Sequence, residues 1–368
     1  MKVIIPKTEH GTVHRSEGNY FPYHGWPSVC RDSRGTLFAA ASGMRITHVD
    51  PCGKNCLYLS FDEGKSWTPP VVVNDSYFDD RDTGVIAWGK GKMLVSWFNE
   101  IIEDRCEGMM QYDWLSEPHK KLCKAFAESW DYLPPKEIVS GSYVKMSDNY
   151  GVTWSDPVKV PVTSPHGPVA LRDGTLVYMG KYMNPDYLAP NPICVYSSFD
   201  GGYTWEKTGE VSPSDDITNE NMHEPHMIEL PSGRLLGAIR IHGRTEAPDF
   251  TVYTTYSDDK GKTWSKPVCI GVDGSPPHLM VHSSGAVLCS YSRRRSPEDR
   301  GERVCVSYDG GETWTEDYDL HREFVSPDHG YPATVELSDG SLLTVYYMSR
   351  EDNWNTCVMS TRWRLNDK

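Results

Sequence analysis

An eight-residue pattern, Ser-x-Asp-x-Gly-x-Thr/Ser-Trp, recurs along the chain and restricts its fold more than any other feature. The copies are Ser60 to Trp67, Ser198 to Trp205, Ser257 to Trp264 and Ser307 to Trp314, with a variant at Ser147 to Trp154 in which Asn149 stands in the Asp position. The spacing is that of a hairpin turn. A short carboxylate accepts hydrogen bonds from backbone N–H groups of the turn, Gly supplies the positive-φ residue, and Trp folds back over the hairpin. A turn satisfied from within needs no ligand, so these boxes read as structural. They demand a chain of repeated antiparallel units.

A second repeat lies between the boxes: small or polar residues with Pro or His, an apolar strand, then Asp/Ser-Gly and a strong β run. It occurs at Trp26-Pro27-Ser28-Val29, Arg81-Asp82-Thr83-Gly84-Val85, His166-Gly167-Pro168-Val169, His223-Glu224-Pro225-His226-Met227, Pro276-Pro277-His278-Leu279 and His329-Gly330-Tyr331-Pro332. Six copies mean six units. With 12 Trp, 21 Tyr, 31 Gly and 26 Pro, and almost no windows of helical period, the composition is that of a β protein. Units of about 50 to 60 residues with roughly four short strands each match propeller blades. The expectation is an all-β, six-bladed β-propeller with one short helical insertion, a single domain over 1–368. Because the last unit lacks a box, its outer strand should come from Lys2 to Arg15 and close the ring. The innermost strand of each blade starts at the central mouth, where ligands bind.

The spacing is interrupted once, at 101–143 in the second blade. Ser116 ahead of Pro118 reads as a helix start, and Leu122, Phe126 and Trp130 recur every fourth residue, as on an amphipathic helix. This helix either walls the mouth or packs as a surface excursion.

Several classes of function are excluded or disfavoured. With 51 acidic against 37 basic residues the net charge is -14, and no basic stripe is available for nucleic acid. No apolar run reaches the roughly 18 to 20 residues of a membrane helix. The start, Met1 to Pro6, is too short for a signal-peptide core, which reads as a cytoplasmic chain. The ten cysteines lack disulfide-scaffold spacing and read as reduced thiols. Cys52 and Cys56 with His48 have no second Cys pair to complete a metal site, so no metal and no cofactor is expected.

The boxes and inner strands together resemble the sialidase (neuraminidase) superfamily, in its bacterial Asp-box (BNR-repeat) branch. The resemblance implies an exo-acting glycosidase with an Asp acid/base, a Tyr nucleophile assisted by a Glu, and three arginines that grip a sugar carboxylate. A neutral phenol suits a substrate whose carboxylate would repel an anionic nucleophile. Glu224-Pro225-His226-Met227-Ile228-Glu229-Leu230, followed by Arg240, resembles the family's glutamate strand, and Gly330-Tyr331-Pro332-Ala333 its nucleophile strand. On that footing Glu224 is the proton relay, Tyr331 the nucleophile, Asp50 the acid/base, and Arg45 and Arg240 pocket arginines. The third arginine is Arg303 or Arg294. The family's opening Arg-Ile-Pro is replaced by Gly25-Trp26-Pro27, so the first arginine of the grip is missing.

Two further groups stand at strand starts. Asp80, Arg81 and Asp82 form a charged cluster that either binds sugar hydroxyls or pairs between blades. His166, His223, His226, His278 and His329 fall at equivalent blade positions, and neutral imidazole suits sugar hydroxyls better than a wide mouth suits a metal. His166, His226 and His278 are therefore read as sugar contacts. The expected partner is a glycan or small sugar, which an exo-glycosidase of sialidase type cleaves. The same fold also serves a glycosidase of other specificity or mechanism, or a non-catalytic carbohydrate-binding propeller.

Overall fold

The computed structural model describes residues 1–365 apart from 17, 19, 101–102, 133–139, 184–190, 323 and 350–354, and in Glu103–Met109 it describes side chains from Cys106 onward. The described strands form six antiparallel four-stranded sheets, one of which gains a fifth strand. The inner strands, one per blade, are Tyr23–Arg31, Asp79–Trp88, Val169–Ala170, Met222–Glu229, His278–Val281 and His329–Glu336. Successive strands of a blade step outward, as in the first: Tyr23–Arg31, Leu37–Arg45, Lys54–Ser60 and Val71–Asn74.

Among the described residues the propeller core forms six layers, each shared by two neighbouring blades, beside smaller clusters at the mouth and under the insertion. Val177 and Val195 of the third blade meet Leu235 and Ile239 of the fourth, and Val95 and Trp97 of the second meet Phe38 and Leu57 of the first. Both faces of a middle strand are therefore buried, which is why Leu37–Arg45 reads as a continuous small and apolar run rather than an alternation. A fully buried Val or Leu contributes about 1.5 to 3 kcal/mol, so each layer ties its two blades firmly. All ten cysteines are free thiols.

The boxes join third to fourth strands, at the end of the molecule away from the mouth. In the first, the Asp62 carboxylate accepts from the Ser66 N–H (2.9 Å) and hydroxyl (2.6 Å), and Ser60 Oγ accepts from the Gly64 N–H (2.8 Å). Gly64 has φ +83°, the conformation that keeps a side chain out. In the variant box Asn149 accepts from the Thr153 N–H (2.9 Å) but donates to its hydroxyl (2.7 Å).

The ring closes through the N-terminus. Glu9–Arg15 pairs antiparallel with Thr356–Trp363 as the outer strand of the sixth blade. Lys2–Ile4 instead runs parallel to Glu316–Arg322 and widens the fifth blade. The segment from Lys2 to Arg15 thus serves two sheets, and Pro6, which lacks a ladder N–H, lies between its two strands.

The insertion follows a second strand, which ends at the mouth, so it rises there. A short helix, Glu103–Met109, precedes the expected one, Glu117–Ser129, whose Ser116 caps the His119 N–H. Leu122, Cys123 and Phe126 pack with Met109, Leu115, Ile46 and Cys52, and Trp130 donates its indole N–H to the Tyr77 carbonyl (2.9 Å). The helix is pinned to the mouth ends of the first two blades.

Candidate functional site

Four inner strands begin with the same backbone irregularity. The pairing register slips between Gly25 and Ser28, Arg81 and Gly84, His223 and His226, and Gly330 and Ala333. Within each slip one non-glycine residue takes a left-handed conformation: Trp26 (φ 53°), Asp82 (51°), Glu224 (40°) and Tyr331 (55°). Each such residue costs on the order of 1 to 3 kcal/mol and persists only where its surroundings hold it. A bulge re-aims the side chain beside it. Here four equivalent bulges direct Trp, Asp, Glu and Tyr to the mouth.

Tyr331 and Glu224 meet although 107 positions separate them: the phenol donates to Glu224 Oε1 at 2.8 Å. Arg240 Nη1 donates to Glu224 Oε2 at 2.6 Å and lies 3.5 Å from the Tyr331 oxygen. Burial alone would raise the Glu224 carboxyl, but the Arg240 charge and the two donated hydrogen bonds hold it below the ordinary range. Burial, and then the Glu224 charge, push the Tyr331 phenol well above its usual value. The resting pair is therefore a protonated phenol donating a hydrogen bond to an ionised carboxylate. Arg294 stands with its guanidinium carbon 5.9 Å from the Tyr331 ring centroid.

Aromatic rings and buried charges surround this trio. Trp26 is buried with Tyr23, Tyr331 and Tyr347, between Arg81 (4.6 Å) and Arg45 (4.9 Å) and edge-on to His48. Asp328 accepts from Tyr347 (2.6 Å) and Tyr23 (3.0 Å), with His48 Nδ1 at 3.0 Å. Above them opens a cleft of about 670 Å³ between Thr47, His48, Arg294 and Asp328 on one side and Tyr112 and Trp114 of the insertion on the other. Tyr112 and Trp114 stack with centroids 5.4 Å apart, both half-exposed.

Glu224, Tyr331, Arg240 and Arg294 are thus brought together; other expected residues are placed elsewhere. Asp50 is fully buried, and its carboxylate accepts from the backbone N–H groups of Ile46, Thr47 and Cys52 at 2.7 to 2.8 Å. It staples its loop and has no route to a glycosidic oxygen. Arg45 is saturated by Asp79, Ser42 and the carbonyls of Thr47 and His48, beneath Trp26. Asp80 is buried and holds Asn74 and Ser76, and Arg81 pairs with Glu100 at 2.9 Å. Arg303 lies on the third strand of its blade, locked between Asp299, Asp317 and Asp319. Its strand position, not its type, removes it from the mouth.

The histidines also move. His166, His226 and His278 pack on one another at centroid distances of 4.5 to 5.5 Å, one step further along the inner strands. They line a separate cavity of about 440 Å³ that runs along the axis to the opposite end. His226 and His278 accept backbone N–H bonds from Leu279 and Thr334, and burial keeps all three neutral. The bonds of His226 and His278 fasten blade to blade rather than face the mouth, and His166 joins them by ring packing alone, its ring nitrogens without a hydrogen-bond partner among the described residues. Asp82 is the residue at the mouth whose role the sequence left open between sugar contact and ion pair. Laying the inner strands in register sets it opposite Glu224 and Tyr331, a match hidden because Thr83 stands where the others carry Pro.

Comparison with known proteins agrees with this architecture. A sialidase of Micromonospora viridifaciens is 31% identical over 146 residues, which are 37% of this chain; the match spans only 22% of that protein's length. Among solved structures, a Dyadobacter fermentans protein of unknown function superposes with a TM-score of 0.75 at 20% identity, over 98% of this chain and all of that one. The NanB sialidase of Streptococcus pneumoniae gives 0.69 at 16%, over 97% and 70% of the two chains. The GH93 α-L-arabinofuranosidase of Fusarium graminearum, in complex with arabinobiose, gives 0.65 at 13%, over 96% and 97%. At such identities these structures show a shared fold. The profile of BNR repeat-like domains matches residues 130–345, more than half of the 368, and together with the six blades and their boxes it establishes that this chain belongs to the BNR repeat-like domain family, as a sialidase-like propeller.

Proposed function

We propose that this chain is an exo-acting glycoside hydrolase in which Tyr331 is the nucleophile and Glu224 the base that takes its proton. The observation that carries the reading is the 2.8 Å hydrogen bond from Tyr331 to Glu224, with Arg240 2.6 Å from the same carboxylate. Transfer of the phenolic proton to Glu224 leaves an oxygen able to attack the anomeric carbon, and Arg240 stabilises the charge that develops. Displacement through a covalent tyrosyl intermediate, followed by attack of water, retains anomeric configuration.

A terminal acidic sugar of the sialic acid kind draws support from the sialidase relatives and from Arg240 and Arg294, two guanidinium groups flanking Tyr331. A second reading rests on a specific observation. Trp26 fills the position of the opening arginine and Arg45 has no free donor, which favours a sugar without a carboxylate at the anomeric carbon, such as an arabinofuranoside. Hydrolysis of 4-methylumbelliferyl glycosides, the α-sialoside and α-L-arabinofuranoside included, separates the two. NMR of the first-formed product reads the configuration. Tyr331→Phe, which preserves ring volume, should fold and lose turnover by several orders of magnitude. A fully active Tyr331→Phe enzyme, or an inverted product, defeats the proposed mechanism.

A further inference from the structure

The trio of Tyr331, Glu224 and Arg240 has no group to protonate a leaving oxygen, and Asp50 is sealed in its loop. The other carboxylates near the mouth are engaged too. Asp79 pairs with Arg45, Asp80 holds Ser76 and Asn74, Asp328 accepts from two tyrosines and meets His48, and Glu302 is buried against His329 and Ser292. Asp82 is different. Only 8% exposed, its carboxylate makes no hydrogen bond or ion pair among the described residues, and Oδ1 is buried without a partner. A bare carboxylate is expensive to bury, whereas a neutral carboxyl is much less so. Its bulge is the counterpart of those that present Glu224 and Tyr331, so its side chain is delivered to the same mouth from the second blade.

We propose that Asp82 is the general acid/base of this site, an inference that rests on the glycosidase reading above. The Asp82 carboxyl gives its proton to the glycosidic oxygen as the bond from that oxygen to the anomeric carbon breaks, the electron pair leaving with the oxygen. The Tyr331 oxygen bonds to the anomeric carbon and its proton passes to Glu224. In the second half, the Asp82 carboxylate takes a proton from water, whose oxygen bonds to the anomeric carbon. The Tyr331–carbon bond breaks as that bond forms, its electron pair leaving with the phenol oxygen, which recovers its proton from Glu224. The charges support this division of labour. Burial foremost, with the Glu224 and Asp79 charges against those of Arg81 and Arg45, pushes Asp82 up to about 7, while Glu224 is held low. Tyr331 across the mouth and Tyr178 of the third blade also face Asp82. Two carboxyls driven apart in this way are a proton donor and a proton acceptor.

The test is Asp82→Asn, which suits the left-handed backbone because Asn visits that region readily. Asp82→Gly makes the same comparison if Asn is not accommodated. The probes are 2,4-dinitrophenyl and 4-methoxyphenyl glycosides of the sugar that the wild type hydrolyses. The 4-methoxyphenyl substrate, which needs protonation, should lose on the order of 10²- to 10⁴-fold in turnover, and the dinitrophenyl substrate less than about tenfold. The alkaline fall of the wild-type rate, above about pH 7, should vanish in the variant. Azide should restore turnover and yield the glycosyl azide. Equal losses on both substrates, or an unchanged alkaline limb, overturn the assignment of Asp82 alone. A wild type that hydrolyses no glycoside overturns the glycosidase reading and this inference with it.

Discussion

The carboxylates of Asp62 and Asp259 each accept from a hydroxyl and N–H groups of their own turn, and those bonds bring both down to about 2. A carboxylate whose folded value is depressed contributes stability that is present above its unfolded value near 4 and lost as pH falls through about 2. These side chains are largely solvated, so each contributes only about 1 kcal/mol. Asp62→Ala should therefore lower stability at pH 7 by about that much and leave sugar binding unchanged, read from urea unfolding and from KM. Asp62→Asn should reproduce what Asn149 does naturally, keeping the turn while removing its acid sensitivity between pH 4 and 2. If Asp62→Ala abolishes binding without loss of stability, the box is not merely a turn. Residues of this kind were legible because their partners lie within the same eight positions. Asp50 was not, since its spacing fits an acid/base as well as a loop staple and only the direction of its side chain decides. Asp82 was obscured by Asp79 and Asp80 beside it and by the Thr83 that breaks the Pro pattern.

At the scale of elements, the strand starts carried most of the site. Glu224 and Tyr331 each precede a Pro, whose fixed φ sets the end of the bulge; the repeat marked their strand starts, and the resemblance to the sialidase superfamily singled the two residues out. The insertion was legible as a helix through Ser116 and the fourfold spacing of Leu122, Phe126 and Trp130, but not its place: that follows from which end of the second strand it leaves. Because it leaves at the mouth, Tyr112 and Trp114 wall the cleft shared with His48, Arg294 and Asp328. Sugar rings stack on such exposed aromatic faces, and loss of one aromatic contact is worth about 0.5 to 1.5 kcal/mol. Under the glycosidase reading, Trp114→Ala should raise KM toward an oligosaccharide substrate by up to about tenfold, with kcat within about twofold. A fall in kcat with KM unchanged would instead place the insertion in the chemistry.

For the whole molecule, the count of six follows from the repeats, while the dependence on ring closure does not. Each blade packs against two neighbours, and the layer between the sixth and first blades includes Val13 of the N-terminal strand beside Val29, Ala39, Val345 and Val358. The two chain ends are thereby fastened into one sheet, Glu9–Arg15 against Thr356–Trp363, and that sheet is what joins the last blade to the first. The extra strand Lys2–Ile4, largely exposed, only covers the edge of the fifth blade. The two N-terminal strands therefore predict different consequences. Deleting residues 1–5 should leave a folded ring with a small loss of melting temperature. Deleting 1–15 removes Val13 from its layer and bares the edge of Thr356–Trp363, an unpaired row of N–H and C=O groups that templates association. That variant should melt several degrees lower, or in two steps, and self-associate, as read by calorimetry and light scattering. A synthetic peptide covering residues 2–16 should restore the single transition by pairing with the bared strand. Equal melting of the two truncations would mean that the inter-blade layers hold the ring without the N-terminal strand.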